Sequence, residues 1–122
     1  MARMGASLQP EFCSRFHRAV ELVGRRWSGA VLNAILEGNH RYRAIRSAIP
    51  GLSDTMLAQR LRELEAEGLL ERRVLDTSPV RVEYHLTAKG QALDGPLQAI
   101  ADWAEQWLAA EPEKRVAAGS GT

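Results

Sequence analysis

Residues 41–90 constrain the fold more than any other part of this 122-residue chain. Apolar residues recur there at helical spacing in two short stretches, and Pro50-Gly51 separates the two. Apolar and polar residues then alternate in two segments, 72–76 and 82–86, with Thr77-Ser78-Pro79 between them as a turn. Two helices, a tight break and a two-stranded ribbon, in this order, predict a winged helix-turn-helix. The expected fold is therefore mainly α, with a small β-wing.

The second of these helices has one apolar face and one polar face. Its apolar stripe consists of Leu57, Leu61 and Leu64. Ser53 precedes the helix, where its hydroxyl can accept from a free amide, and Asp54 lies where the helix dipole favours negative charge. The residues that project opposite the stripe are Thr55, Gln59 and Arg62. Donors and acceptors of this length suit base edges, so this helix is the expected recognition helix.

The rest of the chain fits one domain. With 45% apolar residues it can bury a single core, which we place at residues 11–110, with flexible tails at 1–10 and 111–122. Apolar spacing predicts a first helix over about 12–23 and a second that ends at Gly38. A last helix is expected from the cap Thr87 through about Ala110.

Charge is divided unevenly along the chain. Residues 1–89 hold fourteen basic and ten acidic side chains, a net charge of +4, whereas residues 90–122 hold two and five, a net charge of −3. Fourteen of the sixteen basic residues are arginine, whose rigid fork of donors suits phosphate and guanine. Taken alone, the basic excess of residues 1–89 would be explained equally well by an ordinary solvated surface. The arginines, however, concentrate on the elements that a winged helix turns toward DNA.

Several classes of protein are excluded by what the sequence lacks. It has no long apolar run and no secretory signal pattern, so we expect a cytoplasmic protein without a membrane partner. Its three histidines are scattered, and no metal-ligand spacing, phosphate loop or nucleophile elbow occurs, so neither an enzyme nor a bound cofactor or metal is expected. A winged helix that binds only other proteins is the remaining alternative, and the arginines argue against it.

Several segments of the sequence, in the order in which they occur, resemble those of the HxlR-type bacterial transcriptional regulators, a family within the MarR-like superfamily. The matching segments, which span about residues 11–108, are Cys13, Gly24-Arg25-Arg26-Trp27, Arg41 to Ile45, Ile49-Pro50-Gly51-Leu52-Ser53, Leu57 to Leu69, Pro79 to Gly90, and Trp103. Two departures from the family pattern lie on the reading face. The family often has lysine where Thr55 stands and threonine or serine where Ala58 stands, so the resemblance does not extend to a particular operator.

The resemblance implies a homodimer that binds double-stranded DNA at a palindromic operator, with the first and last helices forming the interface. The last helix also carries more apolar surface than a small winged domain can cover. We therefore assign the interface to Phe16, Trp103 and Trp107, although Trp107 fits a monomer core equally well. Two-fold symmetry places the half-sites about one helical turn apart.

DNA contacts are assigned by position on the predicted elements. The base-edge candidates are Ser53, Thr55, Met56 and Gln59, and Met56 could instead fill space beside the core. Arg60 and Arg62 are expected to reach bases or phosphates. The residues expected to hold phosphates beside the groove are Arg41, Arg43 and Arg46. Arg81, on the wing, either touches DNA or pairs with a carboxylate such as Glu83.

Cys13 is the only cysteine. Some relatives in the resembled family sense quinones, aldehydes or oxidants with a cysteine at this place, so the resemblance implies an electrophile or another small-molecule effector. Arg15 or His17 could lower the thiol pKa. A buried, unreactive side chain is the other interpretation, because unpaired cysteine is among the most buried residue types.

Overall fold

The computed structural model describes residues 10–110, with side chains described from residue 14 onward. The elements follow the predicted order, and the fold is mainly helical with a two-stranded wing. They are α1 (Pro10–Gly24), α2 (Ser28–Leu36), α3 (Tyr42–Ala48), α4 (Asp54–Ala66), β1 (Leu70–Leu75), β2 (Arg81–Leu86), α5 (Ala88–Gln91) and α6 (Asp94–Trp107). The predicted tails, 1–10 and 111–122, fall almost entirely outside the described residues.

The hydrophobic core lies between α2, α3, α4 and the start of the wing. Its members are Val31, Leu32, Ala34, Ile35, Ile45, Ile49, Leu52, Leu57, Leu61, Leu64, Leu69 and Leu70. The leucine stripe predicted on the recognition helix is confirmed, since Leu57, Leu61 and Leu64 are all buried. Burying this face turns the opposite face of α4 toward solvent, which is the orientation that a reading helix needs.

The wing is an antiparallel pair whose register runs from Leu70 opposite Leu86 to Leu75 opposite Arg81. Each strand begins slightly before its predicted start. The recognition helix ends at Ala66, and Gly68 follows with a φ of +80°, a backbone conformation that glycine adopts easily. Gly90 lies so close to the Leu69 carbonyl that a Cβ atom would clash with the oxygen, so α5 packs directly against the base of the wing.

The prediction of one continuous last helix is wrong. Thr87 does cap a helix, since its hydroxyl accepts from the Gly90 amide at 3.2 Å, but that helix ends at Gln91 and a second helix begins at Asp94. Pro96 explains the restart. Proline lacks an amide hydrogen, so it is tolerated in the first turn of α6 but would interrupt a longer helix running through it.

Candidate nucleic-acid interface

The start of the recognition helix α4 is fixed by two contacts. Ser53 caps it as predicted, because its hydroxyl accepts from the Met56 amide at 3.1 Å. Tyr42, on α3, donates its hydroxyl proton to the Asp54 backbone carbonyl at 3.0 Å. Burial and the neighbouring Asp54 charge raise the pKa of Tyr42, which keeps the phenol a donor. The two helices of the helix-turn-helix are thus joined where α4 would enter a groove.

The predicted reading face of α4 is open to solvent. Ser53, Thr55 and Arg62 are exposed, and Met56 and Gln59 are half-buried at its edge. Within residues 10–110, Arg62 forms no hydrogen bond or ion pair with another side chain, so its guanidinium is available to a ligand. Gln59 is different, since its amide nitrogen donates to Glu63 Oε2 at 3.1 Å.

Arg60 does not lie on the reading face, and the prediction that it reaches bases or phosphates is wrong for this structure. Its side chain is only 8% exposed. Nε donates to the Arg26 carbonyl at 2.8 Å, and Nη1 donates to Glu63 Oε1 at 2.8 Å. Position on a helical wheel places Arg60 beside the leucine stripe, and a buried guanidinium is tolerated there only because these acceptors satisfy it.

Glu63 is the centre of this polar cluster, and sequence reasoning missed it. In the sequence, Glu63, Glu65 and Glu67 have the pattern of a solvated helix face, but Glu63 accepts from Gln59 and Arg60 and forms an ion pair with Arg25 at 3.1 Å. Burial alone would raise the pKa of Glu63. The hydrogen bonds from Arg25 and Gln59, with the charges of Arg60 and Arg25, outweigh burial and lower its pKa. The carboxylate therefore stays ionised and acts purely as an acceptor.

The arginines predicted to hold phosphates lie on and beside α3. Arg41 and Arg43 are exposed. Arg46 is already engaged, since its Nε lies 3.1 Å from the Leu52 carbonyl and 3.3 Å from Asp54 Oδ1, although 45% of the side chain is exposed. The side chains of Arg41 and Arg43 form no hydrogen bond or ion pair among the described residues, whereas Arg46 stabilises the turn before the recognition helix.

The wing joins the helix-turn-helix through two histidines that are distant in sequence. His40 and His85 stack with ring centroids 4.1 Å apart, and His40 Nδ1 lies 3.1 Å from the Tyr84 carbonyl. His85 Nε2 lies 2.8 Å from Glu83 Oε1, and this hydrogen bond is the largest effect that lowers the Glu83 pKa. The carboxylate that could have paired with Arg81 is thus bound to His85, and the Arg81 side chain is exposed.

The first and last helices expose apolar residues on their outer faces. Trp103 is 57% exposed and Trp107 is 66% exposed, with Ile100 on the same side of α6. Phe16 and Val20 are similarly exposed on α1. Neither tryptophan is buried in the monomer core, which removes that interpretation for Trp107. The backbone of Cys13 belongs to α1, but its side chain lies outside the described residues.

The part of the chain that the structure describes holds no cluster of three or more histidine, cysteine, aspartate or glutamate side chains that could bind a metal ion. Among residues 10–110, no helix has both the length and the apolar character needed to cross a membrane.

Comparison with known families and sequences gives concordant matches. A family model described as HxlR-like helix-turn-helix matches residues 22–112. The uncharacterized HTH-type transcriptional regulator YvaP of Bacillus subtilis (strain 168) is 43% identical over 100 residues, covering 82% of this chain and 93% of that protein. The HTH-type transcriptional regulator YodB of the same organism is 41% identical over 95 residues, covering 78% of this chain and 85% of that protein.

Solved structures match over most of the chain as well. The reduced form of YodB from B. subtilis superposes with a TM-score of 0.70 at 38% identity, covering 86% of this chain and 99% of that one. The redox regulator HypR in its oxidized form superposes with a TM-score of 0.72 at 29% identity, covering 79% of this chain and 99% of that one. Sequence and fold thus point to the same group of regulators.

Proposed function

The chain belongs to the HxlR-like helix-turn-helix family of transcriptional regulators, and from that premise we propose that it binds a palindromic operator as a homodimer and responds to a thiol-reactive effector. The observation that carries the proposal is the exposed polar face of α4, fixed at its start by Ser53 and backed by a buried leucine stripe. Such a helix presents side chains to the major groove without unfolding any part of the core.

DNA contacts divide by position into two groups. Thr55 and Arg62 face outward from the recognition helix and read base edges, together with Gln59 at the edge of the same face and with Ser53 and Met56 at the start of the helix. Arg41, Arg43 and Arg81 flank that helix and bind phosphates, with Arg46 as a weaker contributor because Asp54 already binds it. This division predicts that the first group determines sequence preference and the second determines overall affinity.

The homodimer forms through the apolar faces of α1 and α6. Phe16, Trp103 and Trp107 lie on those faces and are at least half exposed in the single chain. Exposed tryptophans on a regular helix face are costly in water and are common at the centres of protein interfaces. Two copies joined this way carry two recognition helices, and we infer that these bind successive major grooves on one side of the duplex.

The effector acts through Cys13, the only cysteine of the chain. It lies in α1, the helix that we assign to the interface, so modification of its thiol can change the spacing of the two recognition helices. One similar protein is described as a redox regulator, HypR, and YodB has been solved in a reduced form. These descriptions support an oxidant or electrophile as the signal for this chain.

Selection of bound duplexes from a random library tests the proposal. We expect enrichment of a sequence with two-fold symmetry and with half-sites about one helical turn apart. A mixture with no enriched sequence, together with weak binding that competitor DNA abolishes equally for every duplex, would favour the alternative of a winged-helix module that binds other proteins.

A further inference from the structure

Glu63 fixes the orientation of the Gln59 amide. The distance from Gln59 Nε2 to Glu63 Oε2 is 3.1 Å. An ionised carboxylate can only accept hydrogen bonds, so the nitrogen of the amide must face Glu63 and the oxygen must face away. Without such a partner, a glutamine amide can rotate by half a turn and exchange its donor and acceptor positions.

Glu63 is itself held by two arginines, one on the same helix and one in the corner between α1 and α2. Its Oε1 accepts from Arg60 Nη1 at 2.8 Å and forms an ion pair with Arg25, beyond the end of α1, whose Nη1 lies 3.1 Å away. Arg60 is in turn bonded to the Arg26 carbonyl at 2.8 Å. Glu63 has a side-chain exposure of 29%, so water competes only in part for these bonds. The carboxylate therefore has one well-defined position. Because Gln59 donates to this carboxylate, the orientation of the Gln59 amide is also fixed.

We propose that Glu63 is a positioning residue that makes Gln59 a reader of adenine. One N–H of the amide is bound to Glu63, which leaves the carbonyl oxygen and the second N–H for a base. Adenine presents one donor (N6) and one acceptor (N7) in the major groove, the complement of that pair. Guanine presents two acceptors there, and its O6 would face the amide oxygen of Gln59.

The inference rests on the proposed function, because it requires that Gln59 enters a major groove. It goes further in naming the base that Gln59 selects and the residue responsible for that selection. Glu63 points toward the α1–α2 corner and need not touch DNA, so its effect on base preference is indirect. A merely structural role for Glu63 would lower stability or general affinity without changing which base is preferred at one position.

The test uses the full chain and a duplex recovered by the selection described above, with each base pair replaced in turn. Gln59→Ala should lower the preference for adenine at one position of each half-site by about 5- to 150-fold. Glu63→Gln should lower the preference at that same position, because its neutral amide accepts either orientation of Gln59. Affinity for a random duplex should remain within about twofold.

Two further variants separate positioning from folding. Glu63→Asp keeps the negative charge that Arg60 requires but draws the carboxylate back from Gln59, and it should show the same loss of preference. Glu65→Gln is the matched control, since Glu65 is exposed on the same helix and its side chain forms no hydrogen bond or ion pair among the described residues. Glu65→Gln should keep the wild-type preference at every position. Circular dichroism checks that all the variants are folded.

The outcomes distinguish the two levels of the hypothesis. If Gln59→Ala changes no base preference, base reading by Gln59 is wrong, and with it that part of the proposed function. If Gln59→Ala removes a preference that folded Glu63→Gln and Glu63→Asp both retain, only the positioning role is wrong. A Gln59-dependent preference for guanine or thymine would overturn the orientation deduced for the amide.

Discussion

The guanidinium of Arg60 donates a hydrogen bond of 2.8 Å to the backbone carbonyl of Arg26. This contact joins the recognition helix to the corner between α1 and α2, where Trp27 has a φ of +76°. A positive φ is unusual for a bulky residue and persists only where the surroundings hold it. Arg60 is therefore a structural arginine. Arg62 lies two residues further along α4, and its side chain faces solvent.

Replacing Arg60 and Arg62 by methionine should affect the free energy of unfolding to different extents. Arg60→Met removes the partner of the Arg26 carbonyl and one partner of Glu63, so it should lower the free energy of unfolding by about 1 to 3 kcal/mol. Arg62→Met should change the free energy of unfolding by less than about 0.5 kcal/mol, because its side chain is exposed. Urea unfolding measures both values. Equal destabilisation by the two substitutions would contradict the separation of roles.

For side chains on α4, the sequence predicted the direction in which they point better than it predicted the residues that they contact. Helical spacing placed the three leucines inward and Thr55 and Arg62 outward, because a period of 3.6 residues determines where each Cβ points. It did not show that Arg60 reaches the Arg26 carbonyl, 34 positions away. The partner of a long side chain at the border of a stripe depends on tertiary packing, which periodicity does not contain.

The two histidines illustrate the same limit. His40 and His85 are far apart in the sequence, and we predicted no site from them, yet their rings stack where the wing meets the segment before α3. Their proximity follows from the pairing of β2 with the segment before α3, where the Tyr84 amide donates to the His40 carbonyl at 2.7 Å. The break before α6, by contrast, had a visible signal in Pro96, which apolar spacing alone led us to pass over.

Glu63 should make stability depend on pH. Its pKa is lowered in the folded chain, so the folded state binds fewer protons than the unfolded state near the ordinary carboxyl pKa of 4.5. The stabilisation is thus complete above that pKa and is lost as the pH falls through the lowered folded value. Wild type should be more stable than Glu63→Gln at pH 7, and the difference should shrink in acid. Urea unfolding of both proteins at several pH values measures this, and a difference independent of pH would refute the assignment.

Trp103 should be needed for dimerisation but not for folding of the single chain. It is 57% exposed, so Trp103→Ala leaves no cavity in the described core. Loss of a central interface tryptophan typically costs about 2 kcal/mol or more, which corresponds to a dimer weakened by about 30-fold. Sedimentation equilibrium measures the change, with Val80→Ala, an exposed apolar residue on the wing, as the control. A wild-type chain that is monomeric at micromolar concentration and binds its operator tightly would contradict the symmetric dimer.

Cys13 should account for any response to electrophiles. A quinone, an aldehyde or a mild oxidant should change the operator affinity of wild type and leave that of Cys13→Ser unaffected, because both half-sites must be bound together for full affinity. A gel-shift titration before and after treatment measures the change, and mass spectrometry reports the modification. Stoichiometric labelling of Cys13 without any change in DNA binding would exclude the switch, and failure to label the native protein would favour a buried thiol.

Base reading by the outward face of α4 is the central claim, and the ratio of operator affinity to random-duplex affinity tests it most directly. Gln59→Ala and Arg62→Ala should each weaken operator binding by about 1 to 3 kcal/mol while affecting the random duplex little. Arg43→Ala should weaken both duplexes similarly and leave the ratio unchanged, because a phosphate contact carries no base preference. Equal losses on both duplexes for Gln59→Ala and Arg62→Ala would show that this face of α4 does not read sequence.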